Sequence, residues 1–563
     1  MPLKLHKTIT MGYKGAGEKS AKPIVIEGGT LIDATGGPPL EDSVIVVDGE
    51  RIKSVGRKGE VQIPNRCELI NARGKTVLPG FIDGHGHLLD FCGEIYLNLG
   101  VTTCPDIQTG RDEFWSLAQK HGTNMGLIRG PRVWVAGRAI GAGPNMQVFG
   151  GGIFHGTLAD VKTPEQAREA VRRKKQLGLD QLKIMDYLPL DAVKAACDEG
   201  RSLGLRATCH SYDVCASAEA GVSGVEHWWS VGFTTISDLQ TRKSLIDGRY
   251  SARMDSEEIP FYFEPENFDR VIDVLVKRDV SWTPAIATWW RPLSPSAERF
   301  KQRELSILKQ ASYLPPVVRA AVLGIYDKFK KWPADKLDRI KKAYEKLEEL
   351  MRRYVKAGGT IRAGSDPNQG LPALDVHEEL VMFVEAGLTP MQAIQAATIN
   401  VAKTYGREKD FGTVEAGKIA DIMIVDGDPL KDIWATQNVK MLLLNGNAMD
   451  IRFHANYKNP IPSPEPWRLV PRQIAIDPRY IPQGSKSTVV TVRATAGSVA
   501  PWHKVALNGD LLDTRFVNSK ELQATIPAAM LKKAGTHWVN VVSPKESGGS
   551  SVSAYLIVPF RGS

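Results

Sequence analysis

The sequence predicts an α/β protein: a (β/α)8 barrel carrying a small composite β-sandwich, followed by a C-terminal immunoglobulin-like β-sandwich. Three observations predict it. Short apolar runs alternate with helical stretches from about residue 79 to 410. Strand-like runs precede that region and return after it. Beyond a Pro-rich stretch at 459–466 the pattern changes to short alternating strands.

The elements follow in order. Ile24–Gly29 and Ser43–Ile52 read as strands, and Asp48-Gly49 between apolar residues marks a hairpin. Within 79–410, the runs Gln181–Met185, Leu205–His210 and Thr360–Gly364 read as strands, with helical stretches at 164–176 and 190–203. Strand–helix alternation over some 330 residues is the signature of a parallel barrel enlarged by insertions. The stretch 295–357 is long, charged and helix-periodic, and is expected to cap or flank the barrel. Strands return at Ala420–Gly427 and Val439–Gly446. These are expected to pair with the N-terminal strands, so that 1–78 and 411–458 form one composite domain around the barrel at 79–410. Residues 459–466 form a linker. The last segment, 467–563, carries alternating strands such as Thr488–Arg493 and Trp538–Val542, separated by Gly and Ser turns, and suits an immunoglobulin-like sandwich.

Composition excludes several functions. A chain of 563 residues is too long for one core and calls for about two to four domains. The 72 basic and 63 acidic residues are interspersed, with no Lys/Arg block, so the net charge of +9 makes no nucleic-acid footprint. No apolar run reaches the length of a membrane-spanning helix. The first twenty residues lack the apolar stretch of a secretory leader. The compartment is not fixed by this; the expectation is the cytoplasm, or the periplasm or exterior if a leader has been removed. Cys67, Cys92, Cys104, Cys197, Cys209 and Cys215 match no zinc-knuckle or paired-thiol spacing and read as small buried hydrophobes.

The chemistry concentrates at strand ends. Thr76–Pro79 leads into Phe81-Ile82-Asp83-Gly84-His85-Gly86-His87. Two histidines one residue apart on a strand point the same way, and neutral imidazole is the commonest metal ligand. Lys183 lies in an apolar run, where an ammonium directed inward is costly unless paired or neutralised. A neutral amine can instead add CO2, giving a carbamate whose oxygens bridge two metals. His210, His227 and Asp366 each end a further strand-like run, where barrel enzymes build their sites. Together the six donors suit two divalent first-row ions, Zn2+ foremost.

These residues resemble the amidohydrolase superfamily of metal-dependent hydrolases. The resemblance spans roughly 24–450. It rests on Leu78–His87, on Asn98–Thr103, on Lys183, His210, His227 and Asp366 in that order, and on Pro390–Ala402 followed by Gly412–Asp421. Lys183 within Gln181–Met185 looks like the branch of Xaa-Pro and other dipeptidases and aryl-amide hydrolases, which use a carboxylated lysine and two metals. The resemblance implies that His85, His87 and Asp366 hold one ion and His210 and His227 the other, with carboxylated Lys183 as bridge. A metal-activated bridging hydroxide would then cleave an amide, peptide-like, N-acyl amino acid or aryl-amide bond. Asp366 would carry the proton to the leaving amine, and Tyr212 would donate to the carbonyl oxygen. His155 is a candidate substrate contact. Trp228 and Trp229, with Trp289 and Trp290 in the next loop, are candidates for an apolar wall.

The sequence departs from the branch pattern in two places. Glu226-His227 is followed by Trp228-Trp229 instead of Gly, and Gly150–Gly156 matches the branch's Gly-rich loop only approximately. The alternatives are a mononuclear deaminase or cyclic-amide hydrolase of the same superfamily, and a non-catalytic scaffold relative. Partners are expected to be a small amide or dipeptide substrate and further copies of the chain, with no nucleic acid and no membrane span.

Overall fold

The protein is described by a computed structural model covering residues 22–107, 113–141, 159–185, 188–250, 255–367, 370–461 and, with short omissions, 473–558. It divides into two compact units, with the boundary at Ile461/Pro462.

The first unit begins with β1 (Ile24–Leu31), β2 (Leu40–Asp48), β3 (Arg51–Arg57), β4 (Glu68–Asn71) and β5 (Lys75–Pro79). β2 and β3 form the predicted hairpin, with Asp48 opposite Arg51 and Gly49 at φ 62°. That left-handed conformation suits glycine. In β2, Ile45 and Val47 face one apolar cluster while Val44 and Val46 face another. The period of two thus buries both faces of the strand. β5 runs through Gly80 into β6 (Phe81–Ile82), so it is continuous with the His-bearing strand; the predicted composite sandwich is a single sheet among the described residues.

The parallel strands come in two registered sheets. β6, β7 (Val101–Asp106) and β8 (Arg132–Val135) form one. The other comprises β9 (Ile140–Gly141), β10 (Ala159–Asp160), β11 (Leu182–Ile184), β12 (Ala207–Cys209), β13 (Gly224–Glu226) and β14 (Ser281–Thr283), in the order β10-β9-β11-β12-β13-β14. Neither sheet closes on itself among the described residues. Backbone hydrogen bonds span the gaps: Asp180 N to Val135 O (2.8 Å) on one side, Gly84 N to Ala363 O (2.7 Å) and Asp366 N to His85 O (2.9 Å) on the other. The predicted strand Thr360–Gly364 runs beside β14 through the parallel bridge Trp282–Ile361, with Trp282 N donating to Thr360 O (2.9 Å) and Arg362 N to Trp282 O (2.8 Å), and extends no further as a ladder among the described residues. Its backbone is shared out, because Ala363 N donates to Ala396 O at the end of the helix Pro390–Ala396.

Helices Pro164–Gln176 and Leu190–Ser202 fall where the sequence placed them. The insertion forms helices Ala297–Gln310, Pro316–Lys330 and Ala334–Lys356. The last buries Ile340, Ala343, Tyr344, Leu347, Leu350, Met351 and Tyr354, an apolar stripe at helical spacing. Tyr344 stacks on Trp290 at 5.1 Å, and the Tyr354 hydroxyl donates to Val280 O at 2.6 Å. Strands then return as β15 (Ile422–Asp426), β16 (Val439–Leu444) and β17 (Asn447–Ala448). β15 pairs antiparallel with β5, so N-terminal and C-terminal strands of this unit share one eight-stranded sheet and one core containing Ile26, Ile45, Ile422 and Leu443.

The second unit holds β18 (Gln473–Asp477), β19 (Thr488–Ala496), β20 (Lys504–Leu507), β21 (Asp510–Leu511), β22 (Asp513–Asn518), β23 (Glu521–Ile526), β24 (Gly535–Ser543), β25 (Gly549–Ser550) and β26 (Ala554–Val558). Two antiparallel sheets share one core. Val490, Val492 and Ala494 alternate inward from β19, and Leu522, Ala524 and Ile526 from β23. Among the described residues, no helix is long and apolar enough to cross a membrane.

Candidate metal centre

His85 and His87 follow β6, and two glycines bring their strand close to its neighbours. A Cβ on Gly364 would sit 2.5 Å from His85 Cβ, and one on Gly84 would sit 2.5 Å from Ala363 O. No other residue fits either position without moving backbone. Asp83 fastens the same junction. Its oxygens accept from His85 N (3.1 Å), Ser365 N (2.9 Å), Ser365 Oγ (2.5 Å) and the Tyr96 hydroxyl (2.9 Å).

Five predicted donors meet in two overlapping groups, His85 with His210 and His227, and His85 with His87 and Asp366. His227 Nε2 lies 2.9 Å from His210 Nε2. Asp366 Oδ1 lies 3.4 Å from His87 Nε2 and 3.9 Å from His85 Nε2, and Asp366 Oδ2 lies 3.5 Å from His227 Nδ1. An ion about 2.1 Å from each ligand holds those ligand atoms roughly 3–3.5 Å apart, which the His227–His210, Asp366–His87 and Asp366–His227 spacings approach and the 3.9 Å Asp366–His85 spacing exceeds. Lys183, in the middle of β11, is buried close enough for its charge to bear on His85, His227 and Glu226.

Burial lowers the pKa of His227 and His85, so both imidazoles are neutral at pH 7. Burial pushes the Asp366 carboxyl up, but the hydrogen bond from His87 and the charges of His227 and His85 outweigh it and hold it well below the usual carboxylate range. The backbone is strained here too: His227 has φ 67° and Asp366 φ 33°. Each such conformation costs about 1–3 kcal/mol and marks a site where geometry is imposed by its surroundings.

The Amidohydrolase family profile matches residues 328–449, the segment that carries Asp366 and the return into the eight-stranded sheet. An imidazolonepropionase of Symbiobacterium thermophilum is 24% identical over 430 residues, 71% of this chain and 90% of that protein. Solved structures with the same fold include a molinate hydrolase (19% identity, TM-score 0.56, covering 78% of this chain and 96% of that one). They also include a Xaa-Pro dipeptidase with methionine in its active site (21% identity, TM-score 0.52, covering 76% of this chain and 100% of that one). The chain belongs to the amidohydrolase superfamily. It is a hydrolase of that superfamily with a His-rich candidate metal site.

The remaining predicted residues fall in different places. Trp229 stacks on His227 (5.0 Å, 17° between planes) and meets His210 edge-on at 5.2 Å, so it packs directly on two predicted ligands. Tyr212 lies behind it, its ring 6.1 Å from Trp229 and 5.8 Å from Phe233. Trp228 turns elsewhere, 5.5 Å from Trp290 and 6.5 Å from Phe263, packing the region around the insertion. His155 and the Gly150–Gly156 loop lie outside the described residues.

Two residues of the centre were not singled out by sequence. Glu226 Oε2 lies 2.7 Å from His85 Nδ1, and Arg362 Nη2 donates to Glu226 Oε1 at 3.3 Å. Their only sequence signal is the presence of charged side chains inside apolar strand-like runs, the same signal that singled out Lys183.

Proposed function

We propose that this chain is a binuclear metal-dependent hydrolase of an amide bond in a dipeptide, N-acyl amino acid or aryl amide, built on a closed (β/α)8 barrel. The observation that carries the reading is the meeting of two three-donor groups at His85, with Lys183 buried beside them. His85, His87 and Asp366 would hold one divalent ion, most suitably Zn2+, and His210 and His227 the other. Lys183, as its carbamate, would supply the bridging oxygens. When bound, such a pair provides an acidified water and polarises the scissile carbonyl. Asp366 faces the same space with an ionised carboxylate, so it can take the attacking water's proton and return it to the leaving nitrogen. The strained backbone at His227 and Asp366 holds both side chains in place before substrate arrives.

The match to imidazolonepropionase supports a second reading, hydrolysis of a cyclic C–N bond with one metal, since an imidazolone is a cyclic amide. Buried Lys183 weighs for the first reading, because a mononuclear site has no use for a bridging carbamate. Metal analysis of protein purified without chelator, combined with a hydrolysis screen of dipeptides, N-acyl amino acids, aryl amides and cyclic amides, tests both. About two equivalents of metal with linear-amide turnover supports the first. One equivalent with full activity replaces it by the second.

A further inference from the structure

Glu226 ends β13, and both of its oxygens are engaged inside the protein. Oε2 lies 2.7 Å from His85 Nδ1. Arg362 reaches Oε1 through Nη2 at 3.3 Å and the main-chain oxygen of Gly84, the residue before His85, through Nη1 at 2.9 Å. Glu226 and Arg362 are 0% exposed and His85 is 1% exposed, so water does not compete for these contacts. The other charge that bears on Glu226 is Lys183.

The donor and acceptor inventory fixes the direction of each bond. A guanidinium only donates, and an ionised carboxylate only accepts. Arg362 therefore donates to Oε1, and Oε2 accepts from a proton on His85 Nδ1. The lone pair of His85 must then sit on Nε2, the nitrogen that faces Asp366. We propose that Glu226, held by Arg362, is a positioning residue that fixes His85 in the Nδ1-protonated tautomer and thereby sets how tightly His85 binds metal. The proposal rests on the metal-centre reading above. An ion pair that served only to tie strands together would place no constraint on which nitrogen of His85 carries the proton.

Glu226→Gln separates the two roles. Its shape is unchanged, but Arg362 still demands an acceptor and would take the amide oxygen. The amide NH2 then faces Nδ1 and needs an acceptor there. The proton moves to Nε2, where it blocks the ligand position. Loss of such an outer partner weakens metal binding by about 10- to 100-fold.

The test uses the full chain, ring-15N-labelled at histidine and stripped of metal, with His85 assigned through His85→Gln. Nitrogen shifts should show Nδ1 protonated in wild type and Nε2 protonated in Glu226→Gln. Zn2+ affinity, measured on the same preparations against a chromophoric chelator, should fall about 10- to 100-fold in the variant. Wild type with Nε2 protonated, or a variant that binds Zn2+ as tightly as wild type, overturns the proposal. If wild type binds no Zn2+, the metal-centre reading fails while the nitrogen shifts still judge Glu226. If the variant does not fold, the wild-type spectrum alone decides.

Discussion

The hydroxyl of Thr288 lies 2.8 Å from the main-chain oxygen of Asp366, and equally 2.8 Å from that of Ser365. It donates where the backbone is strained, since Asp366 has φ 33°. The hydroxyl thus anchors the peptide that aims the carboxylate. Thr288→Val keeps the shape and removes the donor. The variant should lose about 1 kcal/mol of stability, the usual net value of one buried hydrogen bond, yet lose more in turnover than in substrate affinity. Urea unfolding and steady-state kinetics check this. Unchanged turnover would show that Asp366 is held by other contacts.

Removing metal should act on one unit and spare the other. The proposed ligands all lie in the first unit, and the second has its own core around Val490, Val492 and Leu522. An ion at about 100 times its Kd adds about 2.7 kcal/mol to the state that binds it. Chelation should therefore lower the melting transition of the first unit by several degrees and leave that of the second in place. Calorimetry with and without chelator reads both. A single transition that does not move would contradict metal binding to the folded first unit.

Much of this centre was legible because period-two alternation and strand-end position are local properties. His85, His87, His210, His227 and Asp366 could each be placed from their own neighbourhoods, and they meet. Glu226 was not legible for a specific reason. Consecutive strand residues point to opposite faces, so Glu226 and His227 should not serve one site. They do, because His227 has φ 67° and ψ 148° and its side chain turns back toward the same centre. Arg362 was missed because its partners are Glu226 and Gly84, 136 and 278 residues away in sequence. The strand at Thr360–Gly364 was over-read, since its apolar pattern could not show that Ala363 gives its N–H to a helix end.

Lys183→Ala should remove the proposed bridge. Lys183 is buried in the middle of β11, beside the histidines its charge bears on. We expect loss of one or both ions and of nearly all turnover, with partial rescue by short carboxylic acids that mimic the carbamate. Metal content and activity with and without added formate or acetate measure this. Near-normal activity in the alanine variant would rule out a lysine bridge.

His377 predicts an acid-sensitive fold. It is buried, with Nδ1 2.9 Å from Thr436 Oγ1 and Nε2 2.8 Å from Leu99 O, and burial lowers its pKa from 6.5 to about 4. Above pH 6.5 both folded and unfolded imidazoles are neutral and the group contributes no pH dependence. As pH falls from 6.5, the unfolded chain takes up a proton that the folded chain refuses, and stability drops until about pH 4. The full loss is about 3 kcal/mol, of which about 2 kcal/mol has gone by pH 5. His377→Gln should start less stable but lose less between pH 7.5 and 5. Urea midpoints at the two pH values decide it, and parallel losses in both proteins would assign the titration to another group.

Asp366 allows the sharpest test, because two jobs are assigned to one side chain. As a ligand it needs only an oxygen; as a base it needs a carboxylate. Against burial, the hydrogen bond from His87 is the largest cause that holds its carboxyl well below the usual carboxylate range, so the base is ionised across the neutral range. Asp366→Asn keeps the volume and one oxygen donor and removes the proton acceptor. The variant should retain substantial metal while turnover falls at least ~100-fold, the scale of losing general acid–base help. Affinity for a non-hydrolysable amide analogue should change little, because binding does not require proton transfer. All three quantities should be read from one preparation. Loss of metal together with turnover would mean that the charge of Asp366 is needed for coordination itself. Turnover within a few-fold of wild type would mean that another group moves the proton, and Asp366 would then be a ligand alone.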